Sequence, residues 1–569
     1  MKASIMEVYQ QFIWKDELND LATHLYDSPV ITMGAIATKA PSLLQRYSNT
    51  DWHTEERLER TAKALREANR RLGILTPKVK EAIEHLREGA IEAAHQSVAM
   101  GGPCYILNKA ATARSIATFG SSDDLQLTPY FFIADYDVVQ SELTNIRTPN
   151  AGQGGNLVSI PIPPGYEYSP VSMIPLPGRQ WYEQAEESIR HNYRPLFKSV
   201  DGHARTLVEE RLEQALSLIR WAYHNSNTLD EWSQRIIGRL LNLEGDLGIP
   251  LVRATDDKIR NLMTHGLEIL LAKENRERFL AAHAHATSMI QDQGFKPGIG
   301  MRDPTFVPFF FECKGKDCNR ARIELSYSLT GFKALLTGKC PICGDVVEIE
   351  INAESPDLSQ VADSLSLRVD SRQVAVDTLL PVVAHVGGPG ETAYYAQVIP
   401  AANALGIPFP LFVRYPRIYF NTPWNESLAE ALREKGFPVI HRPEMFKTLG
   451  KVGRFRKKKR FDEMNQALAE FGESLFKLHS ELNHRHSELE AQKSSGKADE
   501  SLLMTKIDVE KYLSWAFGQF TQEKVSQEST WSWIEWTLNA GFVDLFGPYF
   551  RAHSDEMKNG ATYFVNFIL

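Results

Sequence analysis

Two close cysteine pairs, Cys313-x4-Cys318 and Cys340-x2-Cys343, constrain the folding of this chain more than any other feature. Each pair can form a knuckle. Two knuckles 21 residues apart bring four thiolates into a tetrahedron, a geometry that suits Zn²⁺. Cys340-Pro-Ile-Cys343-Gly344 has the form of a knuckle turn, and Ile323-Glu-Leu-Ser-Tyr327 alternates as hairpin strands do. A zinc ribbon is therefore expected over 308–352. With all four ligand positions filled, the metal is structural and contributes roughly 10–16 kcal/mol to folding of the module. The alternative reading is a docking surface carrying Lys314, Lys316, Arg320 and Arg322. Four of the five cysteines fall within 31 residues, so they do not form a secreted disulfide framework. That points to a reducing, cytoplasmic setting. The fifth, Cys104, starts a helix and reads as a buried filler.

A chain of 569 residues exceeds what one core organises and predicts several domains. Its net charge of −8 argues against a chain-wide nucleic-acid footprint. The first twenty residues lack the apolar core of a signal peptide. No apolar run approaches the roughly 18 residues of a membrane span, so no membrane partner is expected.

Chemistry is suggested by two glycine turns. Ala90–Ala94 reads as a short strand. His95-Gln96-Ser97-Val98-Ala99-Met100-Gly101-Gly102-Pro103 is a loop, and a helix follows from about Cys104 to Phe119, carrying Lys109. Thr128–Ala134 is a dense apolar strand that ends in Asp135-Tyr136-Asp137. Strand, glycine turn, helix and buried strand make a βαβ unit and imply a parallel sheet. The pattern returns with a strand over Leu379–Val386, the turn Gly387-Gly388-Pro389-Gly390-Glu391, a helix Thr392–Leu405, and a short strand ending at Arg414. Between these stretches, about 180–293 is helical, with breaks near Asp201, Asn227 and Gly248, and with Thr228 and Thr255 as N-caps.

Lys451–Arg460 holds seven basic residues in ten. From Phe461, the residues Met464, Leu468, Phe471, Leu475, Leu478, Leu482 and Leu489 repeat at heptad spacing. A polar turn at Gln492–Asp499 precedes a return helix through Leu503, Ile507, Leu513, Phe517 and Phe520. The expectation is an antiparallel coiled-coil arm of about 45 Å, and a homodimer formed through it. Trp531-Ser-Trp-Ile-Glu-Trp536 is expected to pack back on the body.

The two turns together resemble the BshC family, the enzymes that add cysteine to glucosaminyl-malate in bacillithiol synthesis. The segment LRVDSRQVAVDTLLPVVAHVGGPGETAY, from Leu367-Arg368 through Tyr394, is similar to that family's Arg, Gln, Asp-Thr-Leu-Leu-Pro and Gly-Gly-Pro-Gly-Glu-x-Ala-Tyr elements. Gly101–Ala113 resembles its Gly-Pro-Leu-Tyr-Thr-x-x-Lys. Ala94-His95-Gln96-Ser97 stands where the family has Thr-Gly-Gln-Gln, and Asp135-Tyr136-Asp137 replaces a Glu-Asp-His-Asp type end. The zinc-ribbon insert is not a feature of the typical family member; the resemblance implies an α/β fold around it, a Rossmann-like parallel-sheet core with helical insertions and a C-terminal antiparallel coiled coil. It divides the chain into a helical part (1–90), the first core half (91–179) and a helical insertion (180–307). The ribbon (308–352), second core half (353–450), coiled-coil arm (451–530) and C-terminal helical segment (531–569) follow.

In such sheets, ligands bind at the carboxyl ends of the strands. The expected chemistry is amide-bond formation by a ligase, an amine attacking a carboxyl group that a nucleotide, ATP or ADP, activates. Gly101, Gly102 and Lys109 would cradle an anion. His95 would act as acid or base, and Asp135 or Asp137 would bind the amine. Glu391 would hold an amino group, with Gln96, Gly387, Gly388, Gly390 and Tyr394 around it. Arg414 and Arg417 would pair with a carboxylate. His385 reads as a buried, hydrogen-bonded residue without a functional role. The competing reading is a nucleic-acid-associated protein that uses the ribbon and the basic run on a ligase-like fold.

Overall fold

The computed structural model describes residues 4–15, 20–27, 29–149, 156–434, 448, 451–452, 455, 460–496 and 527–569. Five strands form the central sheet: β1 (Ala90–Gln96), β2 (Thr128–Ala134), β3 (Leu251–Arg253), β4 (Val382–Gly387) and β5 (Leu411–Arg414). Their order is β5-β4-β1-β2-β3, and every neighbouring pair is parallel. β2 is buried at all seven positions and β4 at all six, as expected for strands covered by helices on both faces. The helix Tyr105–Gly120 crosses from β1 to β2, and Pro389–Asn403 crosses from β4 to β5.

The predicted βαβ units are present with small shifts. The second strand begins at Val382, because Leu379 and Leu380 still close the short helix Arg372–Asp377 through bonds to Val376 O. The N-terminal helices cover one face. Thr54 and Thr76 cap two of them, and Pro77 occupies a first helical position. Thr228 caps the helix Leu229–Arg239 as predicted. The cap before Asp257–Leu271 is Asp256, not Thr255: the Asp256 carboxylate accepts from Lys258 N and Ile259 N. The hydroxyl of Thr255 goes to Asp135 instead.

The cysteine-bearing segment builds two small antiparallel sheets. One joins Ser326–Thr330, Lys333–Lys339 and Val346–Asn352. The other joins Phe309–Glu312 to Arg322–Glu324 and to Leu365–Leu367, a strand outside the ribbon range. Cys313, Cys318 and Cys340 share a hydrophobic cluster with Ala90, Phe132 and Val382 of the main sheet. The cysteine-bearing segment is thus packed into the body.

Trp531, Trp533 and Trp536 are fully buried, in line with the expected docking of the C-terminal segment. That segment also contains a strand the sequence did not announce, Thr562–Asn566, which pairs in parallel with Arg417–Asn421. A helix spans Phe461–Ser494, 34 residues. The return helix Leu503–Phe520 and most of the basic run lie outside the described residues. Among the described residues, no helix is long and apolar enough to cross a membrane.

Candidate active site and four-cysteine centre

Strand order reverses between β1 and β4, since the chain moves from β1 to β2 and β3 on one side and from β4 to β5 on the other. A crevice opens at the carboxyl ends of strands at such a switch point. Here it is a cavity of about 680 Å³. His95 and Gln96 enter it from β1, Lys109 from the crossover helix and Asp137 from beyond β2. Gly388, Gly390, Glu391 and Tyr394 enter from the second turn and the helix it opens, Arg414 from the end of β5 and Arg417 from the start of the strand Arg417–Asn421. Helix Met6–Lys15 and the first turns of the 34-residue helix, with Phe461, Met464 and Leu468, close the sides. The start of the predicted heptad seam is therefore spent on the cavity wall.

A line of buried charges runs beneath. Lys109 Nζ lies 2.5 Å from Glu391 Oε2 and donates to Ala94 O at 2.8 Å. Gly388 N–H donates to the same Glu391 oxygen at 2.6 Å. His385 Nε2 meets Glu391 Oε1 at 3.2 Å, and His385 Nδ1 meets Glu92 Oε2 at 3.0 Å. Carboxylates only accept, so both contacts together need both ring nitrogens protonated. Arg372 pairs with Glu92 and also donates to Tyr395 Oη at 2.7 Å. Burial alone would raise the Glu391 carboxyl, but Lys109 and His385 outweigh it and hold it far below the usual range. Burial likewise opposes the charge on Glu92, yet Arg372 and His385 bring it down to about 2.

A second group sits on the other wall. His95 Nδ1 is 2.9 Å from Gln96 O, which only accepts, so Nδ1 carries the proton and Nε2 accepts from the Tyr105 hydroxyl. Tyr105 stacks on Tyr415 with centroids 6.1 Å apart. Gln96 Nε2 donates to Asp137 Oδ2 at 3.0 Å, and Arg322 Nη1 approaches Asp137 Oδ1 at 3.5 Å. Burial raises the Asp137 carboxyl above its ordinary value, with Arg322 acting against it. Arg414 is lowered to about 10, by burial first and by Arg417 next. Arg417 lines the cavity with no carboxylate partner among the described residues.

Several expected site residues stand elsewhere. Asp135 is fully buried away from the cavity; it accepts from Arg253 Nε and Thr255 N, both at 2.9 Å. Gly101 and Gly102 pack against Ile236, Trp533, Val98 and Ile106, and their N–H groups already donate to Val98 O and Ala99 O. Gly387 backs onto the Phe412 ring and is absent from the cavity lining. Lys109 and Glu391 are brought together as partners of each other, so the amine place on Glu391 is filled by Lys109. The first turn therefore offers a nucleotide's phosphates no cradle. Sequence reasoning missed Glu92, Tyr105 and Arg372 and passed over His385. A lone glutamate inside the apolar Ala90–Ala94 run was the available signal, because a fully buried strand keeps an acid only if it is paired.

Cys313, Cys318, Cys340 and Cys343 have sulfurs that all lie within 4.8 Å of one another. Cys313–Cys343 and Cys318–Cys340 are each 3.8 Å apart, matching the edge of about 3.8 Å in a tetrahedron of 2.3 Å metal–sulfur bonds. Gly315 N and Ile342 N donate to Cys313 and Cys340 sulfurs at 3.3 and 3.4 Å, as a knuckle requires. The four thiols can hold a metal ion. The positive side chains nearby are largely neutralised: Lys314 pairs with Asp363, Arg320 with Glu312 and Arg322 with Asp137. Cys104 is buried and donates to Ser532 O, and burial pushes its thiol up.

A sequence model described as bacillithiol biosynthesis BshC, N-terminal Rossmann-like domain, matches residues 23–418. A Lysinibacillus sphaericus protein named "Putative cysteine ligase BshC" is 24% identical over 406 residues, 69% of this chain and 66% of that protein. A Koribacter versatilis protein of the same name is 23% identical over 407 residues, 70% of this chain and 67% of that protein. The match spans about two thirds of the length of these curated relatives.

Proposed function

The chain belongs to the BshC family, and on that premise we propose that it is a carbon–nitrogen ligase joining an amino acid, cysteine, to a small sugar acid such as glucosaminyl-malate. One observation carries the reading: a single cavity at the switch point gathers proton-transfer groups and two arginines. Arg417 and Arg414 hold a substrate carboxylate. Asp137 or the His95–Tyr105 pair takes the proton that the amine loses as its nitrogen bonds to the carbon of a carboxyl activated by ATP, while the carbon–oxygen bond to the phosphoryl or adenylyl group breaks and that group leaves as phosphate or AMP. A general base so placed contributes typically 10²–10⁴-fold. The Lys109–Glu391–His385–Glu92–Arg372 line fixes the second turn. The cysteine cluster holds Zn²⁺ structurally, since four thiolates leave no open position for substrate.

The test is product formation. Wild type incubated with L-cysteine and glucosaminyl-malate, with and without ATP, is expected to yield the amide by mass spectrometry. Asp137→Asn should cut the rate by about 100-fold, and Arg417→Ala should chiefly raise KM. Absence of amide under every condition, with no thermal shift from either compound, sinks the reading.

A further inference from the structure

The cysteine knuckle and the cavity are joined by one side chain. Arg322 opens the strand Arg322–Glu324, four positions after Cys318. Its path out of the knuckle is closely defined: Cys313 N donates to Ala321 O at 2.9 Å, Ala321 N to Cys318 O at 2.8 Å, and Arg322 N to Tyr168 O at 2.8 Å. Asn319 and Arg320, between, are non-glycine residues at φ 47° and 60°. Such a pair persists only where the surroundings over-determine it, and the bonds from Cys313 N to Ala321 O and from Ala321 N to Cys318 O hold the chain on both sides of it. From there the guanidinium lies over the Phe310 ring at 4.0 Å, donates to Tyr136 O at 3.1 Å, and faces Asp137 on the cavity wall.

We propose that Arg322 is a positioning residue that makes the metal knuckle part of the cavity: it sets the Asp137 carboxylate in place, so that knuckle and cavity are energetically coupled. This rests on the readings that the thiols hold zinc and that the cavity takes the sugar acid. Coupling between two places is reciprocal, so a change at Asp137 must be felt at the metal. Asp137 is also faced by Gln96 and Glu142, and it adjoins Tyr136. Of these groups Arg322 alone is cationic.

The first measurement uses the full chain and needs no ligand. The equilibrium partition of zinc between the chain and a competing chelator is measured for wild type, Arg322→Gln, Asp137→Asn and the double variant. Each single change is expected to weaken zinc retention about threefold or more, and the double variant to be no weaker than the weaker single one. Unchanged or additive losses overturn the proposal, as does a purified chain without zinc. Should Arg322→Gln fail to fold, Arg322→Lys takes its place in the cycle. Lys333→Ala, which removes an exposed ion pair at the hairpin tip, should leave retention unchanged.

The second measurement is the pH dependence of glucosaminyl-malate binding. Removing Arg322 removes the cation that lowers the Asp137 carboxyl, so the midpoint should move to higher pH, with Arg322→Lys restoring most of the shift. An unmoved midpoint overturns the positioning role. If wild type binds no glucosaminyl-malate while the retention cycle shows coupling, the sugar-acid reading falls and the Arg322 link stands.

Discussion

The two glycine turns look alike in sequence, and each joins a strand end to a crossover helix, yet they behave oppositely. The first is filled. Trp533 Nε1 donates to Met100 O at 2.7 Å, Cys104 N donates to Trp531 O at 2.9 Å, and the C-terminal tryptophans seal the turn from the cavity. The second backs onto Phe412 and Tyr415 at Gly387 and Gly388 but is open at its tip, where nothing among the described residues lies within 4 Å of a Cβ on Gly390. The acids beside them differ in the same sense. Glu535, near the first turn, has no cation on it among the described residues, and burial raises it to about 8, with Tyr193 and Trp424 pulling the other way. Glu391, in the second, has Lys109 and His385 and stays ionised far into acid. What a glycine turn does is decided by what covers it, and that information comes from residues hundreds of positions away.

The strongest way to break the contrast is Lys109→Met. It strands Glu391 in a partly buried site and should cost about 3–5 kcal/mol in urea unfolding, with loss of the cavity's ligand. A value near zero means the ion pair is incidental. Gly101→Ala comes next. Its Cβ would sit 2.6 Å from Ile236 Cγ2 and 2.9 Å from Trp533 Nε1 at a φ of +81°. The expected loss is about 1–3 kcal/mol, with activity per folded molecule kept.

Glu535→Gln tests the electrostatic side. The folded pKa of Glu535 lies above an unfolded value of about 4.3, so between the two the folded state binds the proton more tightly. Stability then falls as pH rises toward 8. The substitution should shrink the difference in Tm between about pH 5.5 and about pH 8.5 by a few degrees. Glu92 has the opposite sign. Its folded pKa of about 2 contributes stability above the unfolded value, and that contribution is lost as pH falls through about 2. The smallest effect is expected from Gly390→Ala, within about 0.5 kcal/mol. A large loss there would show that the second turn is also covered.

The core was legible where pattern is local. The Thr128–Ala134 strand, the two crossover helices and the knuckle spacing follow from runs of fewer than twenty residues. The strand Leu251–Arg253 was not legible, because three residues carry no period. The paired aspartates show a subtler limit. Two-residue spacing would put Asp135 and Asp137 on one side of a strand, but β2 ends at Ala134, and the chain turns so that one goes to Arg253 and the other to the cavity. Glu92, His385 and Arg372 form one network from three separate stretches. Their mutual satisfaction is visible only once β1 and β4 are neighbours.

The strand Thr562–Asn566 bears on how the molecule is made. Arg417 N donates to Ala561 O at 2.6 Å, and Thr562 itself lines the cavity. Every other wall leaves the ribosome earlier. A nascent chain can close its parallel sheet and fold its four-cysteine segment while one wall of the pocket is still being translated. The pocket is therefore finished only when the strand Thr562–Asn566 has paired along Arg417–Asn421, and a chain folded without that pairing has one wall missing.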